Sequence, residues 1–300
     1  MDVSIIMVNY NTLELTKNAI NSVIEKTKNI NYEIILVDNN SKDGSHEYFS
    51  NLELKNFKYI QSGNNLGFGK ANNLGYKMAK GKYIFLLNTD TLLVNNAIKI
   101  LYENIEKNEN AGVVGGNLYD INMKPMHSFL KELYSLKTEI YLNFGFVLEM
   151  PKKILKIFRE EKRKDFNYTG KIKEVGYITG ADMLIRKECI EKVGFFDPDF
   201  FMYFEETELT SRIKKRGYKV LSIPEAKIIH LEGKSTKLKE QKIKMFNESK
   251  FKYFQKVYGI KEKEKVYLIL MIANKLKYLL SFNKKYILIL DIIKKSYKDV

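Results

Sequence analysis

Lys82-Tyr-Ile-Phe-Leu-Leu-Asn-Thr-Asp90-Thr91 is the stretch on which the reading of this chain turns. Tyr83 to Leu87 is a continuous apolar and aromatic run, short enough for a strand buried on both faces of a parallel sheet. It stops abruptly at Asn88-Thr89-Asp90. Open α/β sheets bind ligands at the carboxyl ends of their strands, and alternate residues of an extended segment point the same way. Asn88 and Asp90 can therefore offer two oxygen ligands to a hard cation, Mg²⁺ or Mn²⁺, that in turn holds a diphosphate. A plain polar turn after a core strand accounts for the same three residues, so the surrounding chain has to decide.

Upstream, Val3 to Val8 reads as a first buried strand ending at Asn9-Tyr10-Asn11. Thr12 has the character of an N-cap, and Leu15, Ala19, Ile20, Val23 and Ile24 recur at helical spacing. Tyr32 to Val37 is a second strand, running into Asp38-Asn-Asn-Ser-Lys-Asp-Gly-Ser45. Strand, helix and strand in this order make a βαβ unit, whose crossover forces the strands parallel and opens both polar loops on one edge of the sheet. An acid such as Asp38 at that edge can accept a hydrogen bond from a base or a ribose, or simply close an Asx-turn.

A short strand at Tyr59–Gln61 leads to Gly63-Asn-Asn-Leu-Gly-Phe-Gly-Lys-Ala-Asn-Asn-Leu-Gly75, a glycine-rich entry to a helix reaching about Ala79. Its backbone N–H groups suit a phosphate, although neither the Walker ending nor the dinucleotide glycine spacing is present. Downstream of the central strand come a helix over about Asn95–Asn108 and a strand at Val113–Gly116. Residues 117–173 lose periodicity and read as helices or a lid carrying Tyr134, Tyr141, Phe144 and Phe146. Glu174 to Arg186 reads as one strand passing Gly180-Ala181, small residues that let a ligand or a backbone approach, and Lys187–Val193 as a helix.

Phe201-Met-Tyr-Phe-Glu-Glu-Thr-Glu208 then places three carboxylates at the start of a helix that stops at Gly217. Acids in a first turn complement the helix dipole, which explains one or two of them. The aromatic residues Phe200, Phe201, Tyr203 and Phe204 beside them favour a raised carboxyl pKa and a general-base role. Two further strands, Tyr218–Ile223 and Ala226–Ile229, end at His230-Leu-Glu-Gly-Lys-Ser235.

Composition bounds the rest. The chain is 45% hydrophobic and 29% charged, ordinary for a globular protein with a sizeable core. One cysteine excludes an internal disulfide framework, and the start Met1-Asp-Val-Ser lacks a positive leader, so a cytoplasmic protein is expected. Of the net charge of +15, most lies at the end: residues 234–300 carry 18 lysines against 6 acids. Polyanions attract such a segment, anionic lipid or nucleic acid among them. No nucleic-acid-binding signature accompanies the charge, and a basic tail on a near-neutral body argues against a dedicated groove, so no nucleic acid is expected as a partner. Two lysine-framed apolar runs, Val266–Ala273 and Tyr286–Leu290 with Ile292-Ile293, suit helices that lie in a lipid interface or that pack on protein.

Jointly these motifs resemble family 2 glycosyltransferases of the GT-A type, especially bacterial rhamnosyltransferases. The resemblance is carried by Val3–Asn11, Val37–Ser45, Asn64–Gly75, Leu86–Thr91, Gly180–Arg186, Gly194–Asp197, Phe201–Leu209 and His230–Ser235, in order. It implies a mostly parallel, Rossmann-like sheet with helices on both faces over residues 1–235 and a basic helical extension over 236–300. In the first part the N-terminal half would bind the nucleotide sugar, while 117–235 would bind the acceptor and carry the base. The resemblance places Asn9, Tyr10 and Asp38 around the nucleoside and Asn65 near the diphosphate, with Asn88 and Gly180 also at the donor. Asp90 and His230 take metal positions, and Glu206 the position of the acid that deprotonates the acceptor. The implied activity is metal-dependent inverting transfer of a sugar, rhamnose from dTDP-rhamnose, to a cell-surface or lipid-linked glycan, with the inner membrane surface as a possible site of attachment. Two positions depart from the family pattern: its metal-binding aspartate pair reads Asn88 and Asp90, and its Glu-Asp reads Glu205-Glu206.

Overall fold

The computed structural model describes residues 1–144, 165–231 and 239–300. Phe146 and residues 232–235, both drawn into the sequence reading, lie outside the described residues, as does the expected boundary at 235–236. By packing, the chain divides into two compact units: Met1–Leu133, Arg163–Phe201 and Leu209–Lys234 form the first, and Tyr134–Lys162, Met202–Glu208 and Ser235–Val300 the second.

The first unit is built on the strands β1 (Val3–Asn9), β2 (Tyr32–Asp38), β3 (Phe57–Gln61), β4 (Tyr83–Leu87), β5 (Thr91–Leu93), β6 (Ala111–Tyr119), β7 (Phe129–Leu130), β8 (Lys173–Glu174), β9 (Tyr177–Ile178), β10 (Asp182–Arg186) and β11 (Lys219–His230). Its large sheet runs β3-β2-β1-β4-β10-β6-β11-β5, with β8 added beside β11. β1 pairs in parallel with β2 and β4, β2 with β3, and β6 with β11. β10 enters between β4 and β6 and is antiparallel to both. The run Tyr83–Leu87, read from sequence as a strand inside a parallel sheet, thus has one neighbour of each sense.

Alternation along the strands sorts the core onto two faces. Ile5, Met7, Phe85 and Leu87 join one buried cluster, and Ile6, Ile84 and Leu86 the other. Helices α1 (Leu13–Lys26) and α4 (Ala97–Lys107) cover the first face through Ala19, Ile20, Val23, Ile98, Leu101 and Ile105. The second face takes α6 (Lys187–Val193) through Cys189 and Ile190, and Leu209 and Ile213 of α7 (Glu205–Lys215). On that face too lies α3 (Phe68–Tyr76), so close that a methyl on Gly75 would come within 2.7 Å of Ile6 Cγ2. A short α2 (Ser45–Ser50) follows the β2 loop.

Two expected strands come out differently. Glu174 to Arg186 is not continuous: Tyr177–Ile178 leaves the large sheet to pair with β7, and Gly176 passes so near Glu132 that a Cβ would sit 2.1 Å from its carbonyl carbon. Residues 219–230, expected as two strands, are one, with a register shift between Ser222 and Lys227. Pro224, which has no N–H to give the ladder, falls in that irregularity. Thr12 does sit at the N-cap of α1, yet its side chain makes no capping bond; Asp43 Oδ2 accepts the Leu13 N–H at 2.8 Å instead.

In the second unit the described part of α5 covers residues 136–144, and α8 (Lys239–Tyr258), α9 (Ile260–Ser281) and α10 (Lys285–Lys298) pack on one another around Phe251, Val266, Leu270, Ile292 and Ile293. The basic tail is therefore three helices rather than two amphipathic runs. In the same unit lies a buried ion pair, Lys250 Nζ of α8 to Glu139 Oε1 of α5 at 2.7 Å, with Tyr134 and Asn143 also bonded to the Glu139 carboxylate. Burial pulls the Lys250 pKa down against the attraction of Glu139. Removing one member leaves an uncompensated buried charge, so Lys250→Met should cost about 3–5 kcal/mol in urea unfolding, and Lys250→Met with Glu139→Leu clearly less. Equal costs for the single and double variants would show that the pair does not act as a unit.

Candidate active site

The carboxyl ends of β1, β2 and β4 open on one edge of the sheet, with Asn9 in register with Asp38 and Asp38 with Gln61. Asn9 is fully buried there. Its Nδ2 donates to Asp38 Oδ1 at 3.0 Å and to Ser41 Oγ at 3.1 Å, while its Oδ1 accepts from Thr12 Oγ1 at 2.7 Å and Thr16 Oγ1 at 3.0 Å. Asp38, also fully buried, takes the Tyr59 hydroxyl at 3.1 Å and the hydroxyl of Ser41. Two residues assigned from sequence to the donor thus knit β1, α1 and the β2 loop together. Tyr10 beside them is 41% exposed and is the member of this group that faces solvent.

Asn39, which the sequence reading left without a role, is a second hub. Its side chain donates to Gly67 O at 3.0 Å and accepts the Leu66 N–H at 3.1 Å, and so binds the glycine-rich segment to the β2 loop. Asn65, placed by the resemblance near the diphosphate, accepts the Gly67 N–H at 3.0 Å. Gly67 has φ +79°, and a Cβ there would lie 2.1 Å from Phe201 O, the atom that accepts the Phe68 N–H at 2.9 Å. Only glycine fits that position. Gly180 faces the Phe68 ring, whose nearest carbons would stand 3.3 Å from a Cβ.

The turn after β4 is pinned from several sides. Asn88 N–H donates to Ala181 O at 3.1 Å, Thr91 Oγ1 donates to Asn88 O at 2.6 Å, and Thr89 Oγ1 lies 3.1 Å from Thr12 Oγ1. β5 then pairs with the end of β11, His230 opposite Thr91, and Leu231 N–H donates to Asp90 O at 2.8 Å. This places His230 Nε2 3.3 Å from Asp90 Oδ1, both largely shielded. Residues 140 positions apart in sequence, each singled out as a metal ligand, thus meet at one point.

A divalent cation fits this donor set. Neighbouring corners of an octahedron with bonds of about 2.1 Å are about 3 Å apart, close to the separation of the two donor atoms. Among the described residues no third His, Cys, Asp or Glu joins them. A site with one carboxylate and one imidazole leaves most positions to diphosphate and water oxygens, as Mg²⁺ and Mn²⁺ at nucleotide sites prefer.

In the second unit, the backbone before the acids is unusual. Tyr203 and Phe204 are consecutive non-glycine residues with φ +73° and +66°. Each such bulky residue costs of order 1–3 kcal/mol and persists only where packing over-determines it. Phe204 is clamped by the rings of Tyr134, Phe246 and Tyr253 at centroid distances of 5.0, 5.2 and 5.3 Å. The acids that follow differ in exposure: Glu205 and Glu208 are buried, whereas Glu206 is half-buried. Burial, and then the neighbouring Glu206, raise the Glu205 pKa well above the carboxylate range, and its Oε2 has no hydrogen-bond partner among the described residues. Burial thus favours the protonated form of Glu205, and Glu206 is the more exposed member of the pair. Beside Tyr203, in the same unit, lies a mostly apolar cavity of about 390 Å³ lined by Phe246, Leu270, Ile289 and Ile293, with Lys242 and Asn274.

Residues 4–194 match the family described as Glycosyl transferase family 2. The chain belongs to glycosyl transferase family 2. Among curated relatives, it is 24% identical over 223 residues to the low-salt glycan biosynthesis hexosyltransferase Agl10 of Haloferax volcanii, covering 73% of this chain and 64% of that protein. It is also 24% identical over 215 residues to the N-acetylglucosaminyl-diphospho-decaprenol L-rhamnosyltransferase of Mycobacterium tuberculosis, covering 68% of this chain and 67% of that protein. The chain thus spans about two thirds of the length of these relatives. A crystal structure of GalNAc-T7 with UDP, GalNAc and Mn²⁺ superposes with a TM-score of 0.59 at 18% identity, over 85% of this chain and 48% of that one, which establishes a shared fold.

One carboxyl in the family 2 region escaped the sequence reading. Asp182, at the start of β10, is wholly buried, accepts the Gly116 N–H at 2.6 Å and holds the strand next to the Ala181 carbonyl on which Asn88 rests. Its signals were an acid opening the apolar run Met183-Leu-Ile185 and its place within the Gly180–Arg186 motif, which carried no role for it. Burial raises its pKa well above the usual range, against the Gly116 bond that lowers it. The unfolded chain releases this proton at ordinary carboxylate pH while the folded chain retains it. Stability is therefore fully present below about pH 4 for this group and is lost as pH rises toward the folded pKa. Thermal melts should show Asp182→Asn losing less stability than the parent between acidic and alkaline pH; parallel curves would mean that the carboxyl is not held neutral.

Proposed function

We propose that this chain transfers a sugar, with inversion, from a nucleoside diphosphate donor to a hydroxyl of a cell-surface or lipid-linked glycan, and that the donor is dTDP-rhamnose. The observation that carries this reading is the meeting of Asp90 and His230 at the strand ends, in a member of glycosyl transferase family 2. The rhamnosyltransferase relative supports rhamnose, while the hexosyltransferase relative favours a second reading, another hexose on the same machinery. We assign nucleotide-sugar binding to the N-terminal half of residues 1–235, acceptor binding and the base to 117–235, and a separate helical role to 236–300.

A divalent cation held by Asp90 and His230 would neutralise the charge that builds on the departing diphosphate. Tyr10, the exposed residue of the β1 edge, suits stacking on the donor's base, while Asn9 and Asp38 shape the pocket wall behind it. We assign the phosphates to the side of the Gly63–Gly75 segment with Asn65 and Gly180, where the Leu66, Gly67 and Phe68 N–H groups are spent on Asn39, Asn65 and Phe201 and hold the segment in shape. Glu206 takes the acceptor hydroxyl proton as that oxygen bonds to the anomeric carbon. The bond from that carbon to the diphosphate oxygen breaks, and the nucleoside diphosphate leaves with the electron pair. Attack on the face opposite the leaving group inverts the centre. The apolar cavity beside Tyr203 suits the hydrocarbon part of a lipid-linked acceptor, whose presence would bring the enzyme to a membrane surface.

Glu206→Gln keeps the side chain's shape, so nucleotide and Mn²⁺ affinity should stay near parental while the transfer rate falls by roughly 10²- to 10⁴-fold. If Glu206→Gln turns over at the parental rate and Glu205→Gln is inactive, the base is Glu205. In calorimetric titrations Asp90→Asn and His230→Ala should each weaken Mn²⁺-dependent nucleoside diphosphate binding by at least about tenfold, the order found when even outer partners of metal ligands are removed. Unchanged, manganese-independent binding would remove the metal from the proposal. Donor hydrolysis across a panel of nucleotide sugars decides between rhamnose and another hexose.

A further inference from the structure

Over Val266–Leu280 helix α9 carries apolar residues on two faces, and only one of them is used in packing. Val266, Leu270, Met271 and Ala273 face inward, in the packing with α8 and α10. Leu268, Ile272, Leu276 and Leu279 follow at intervals of three and four, so they share one outward face, exposed by 56, 52, 43 and 61%. The stripe continues round the helix end into Leu280 and Phe282, 74 and 79% exposed, and into Ile287 and Leu288 at the start of α10, 41 and 44% exposed. Soluble monomers seldom leave a contiguous apolar surface of this kind in water.

Charge identifies the occupant. From Val266 to Leu290 the chain has Lys275, Lys277, Lys284 and Lys285 and not one Asp or Glu. A second copy docking on this face about a two-fold axis would set four lysines against four lysines, with Asp291 at the patch's edge as the nearest acid, since a two-fold contact brings the same patch together. An anionic bilayer accepts both features: hydrocarbon for the leucines and Phe282, and lipid phosphates for ammonium groups that extend from their apolar stems to the headgroups. Among the described residues no helix is long and apolar enough to cross a membrane, so a surface-lying mode is the one the lengths allow.

We propose that the turn between α9 and α10, with Leu279, Leu280 and Phe282 at its tip and Lys275, Lys277, Lys284 and Lys285 around it, inserts into the interface of an anionic phospholipid bilayer. The proposal shares with the proposed function only the expectation of a lipid-borne acceptor. Its test needs neither donor nor acceptor, so either reading can fail alone.

The chain has no tryptophan, so Phe282→Trp makes a single fluorophore at the tip. With the full chain, vesicles of phosphatidylcholine containing phosphatidylglycerol should shift its emission to the blue, and brominated acyl chains should quench it; pure phosphatidylcholine should do much less. In flotation, Leu279→Ser with Leu280→Ser and Phe282→Ser should lower binding at least about tenfold, the scale expected when apolar insertion supplies most of the attachment. The four lysines changed to Gln should abolish the preference for phosphatidylglycerol. The three side chains of the triple variant are exposed, so its unfolding midpoint should not move; if it fails to fold, the Phe282→Trp emission decides. An unshifted emission with mixed vesicles, equal flotation of parent and triple variant, or a dimer split by the triple variant without vesicle binding would each overturn the proposal.

Discussion

The ladder between β11 and β5 is the constraint on which the candidate site depends. His230 lies opposite Thr91, and the following Leu231 N–H holds the Asp90 carbonyl, so imidazole and carboxylate are brought together by backbone pairing rather than by their own attraction. That matters for a metal site, because ligands held by the main chain lose little further freedom when a cation arrives. Every other fixture of the Asn88–Asp90 turn serves the same geometry. The Ala181 carbonyl anchors its first residue, and Thr12 at the head of α1 meets Thr89 in its middle. Buried Asp182, which follows Ala181 and opens β10, in turn ties that strand to β6.

Much of this was legible in the sequence, for a physical reason. The strands Val3–Asn9, Tyr32–Asp38 and Tyr83–Leu87 are unbroken apolar runs because both sheet faces are covered, and each ends at a polar loop because the sheet edge meets solvent or ligand. The helix Lys187–Val193 ends at Gly194, as the composition announced. What could not be read was pairing. Nothing in Asp182–Arg186 declares that it will enter a largely parallel sheet antiparallel, since a strand buried on both faces looks the same in either sense. The break before it was hidden similarly: Gly176 is required by the Glu132 backbone, which is distant in sequence.

Side-chain roles were less legible than elements. Asn9 and Asp38 sit where donor ligands were expected, but their polar atoms bond to Ser41, Thr12, Thr16 and Tyr59. A residue type and a strand end fix the location of a polar group, whereas its partners depend on the register between strands. Asn39 escaped notice for the same reason, because its value lies in reaching Leu66 and Gly67 across a connection of 27 and 28 residues. Glu206 is different. Composition offered three acids within four residues, of which the resemblance singled out Glu206, and burial leaves that one half-buried beside two that are nearly inaccessible.

The left-handed pair Tyr203–Phe204 explains how that separation is imposed. Two bulky residues in this conformation turn the chain sharply just before Glu205, at a combined cost of order several kcal/mol. Aromatic packing of Phe204 against Tyr134, Phe246 and Tyr253 offsets it, and Ser249 adds a hydrogen bond to Met202 O at 2.7 Å. Tyr134 and Tyr253 are themselves coupled, the Tyr253 hydroxyl donating to Tyr134 O at 2.7 Å. Lys250, buried between the Tyr134 and Phe246 rings, links the same cluster to Glu139. The basic helices thus have a structural duty that their charge conceals: Phe246, Ser249, Lys250 and Tyr253 of α8 hold the turn that presents the acids. Even Lys277 of α9 bears on this cluster, since burial, helped by its charge, pulls the Lys250 pKa down against the attraction of Glu139.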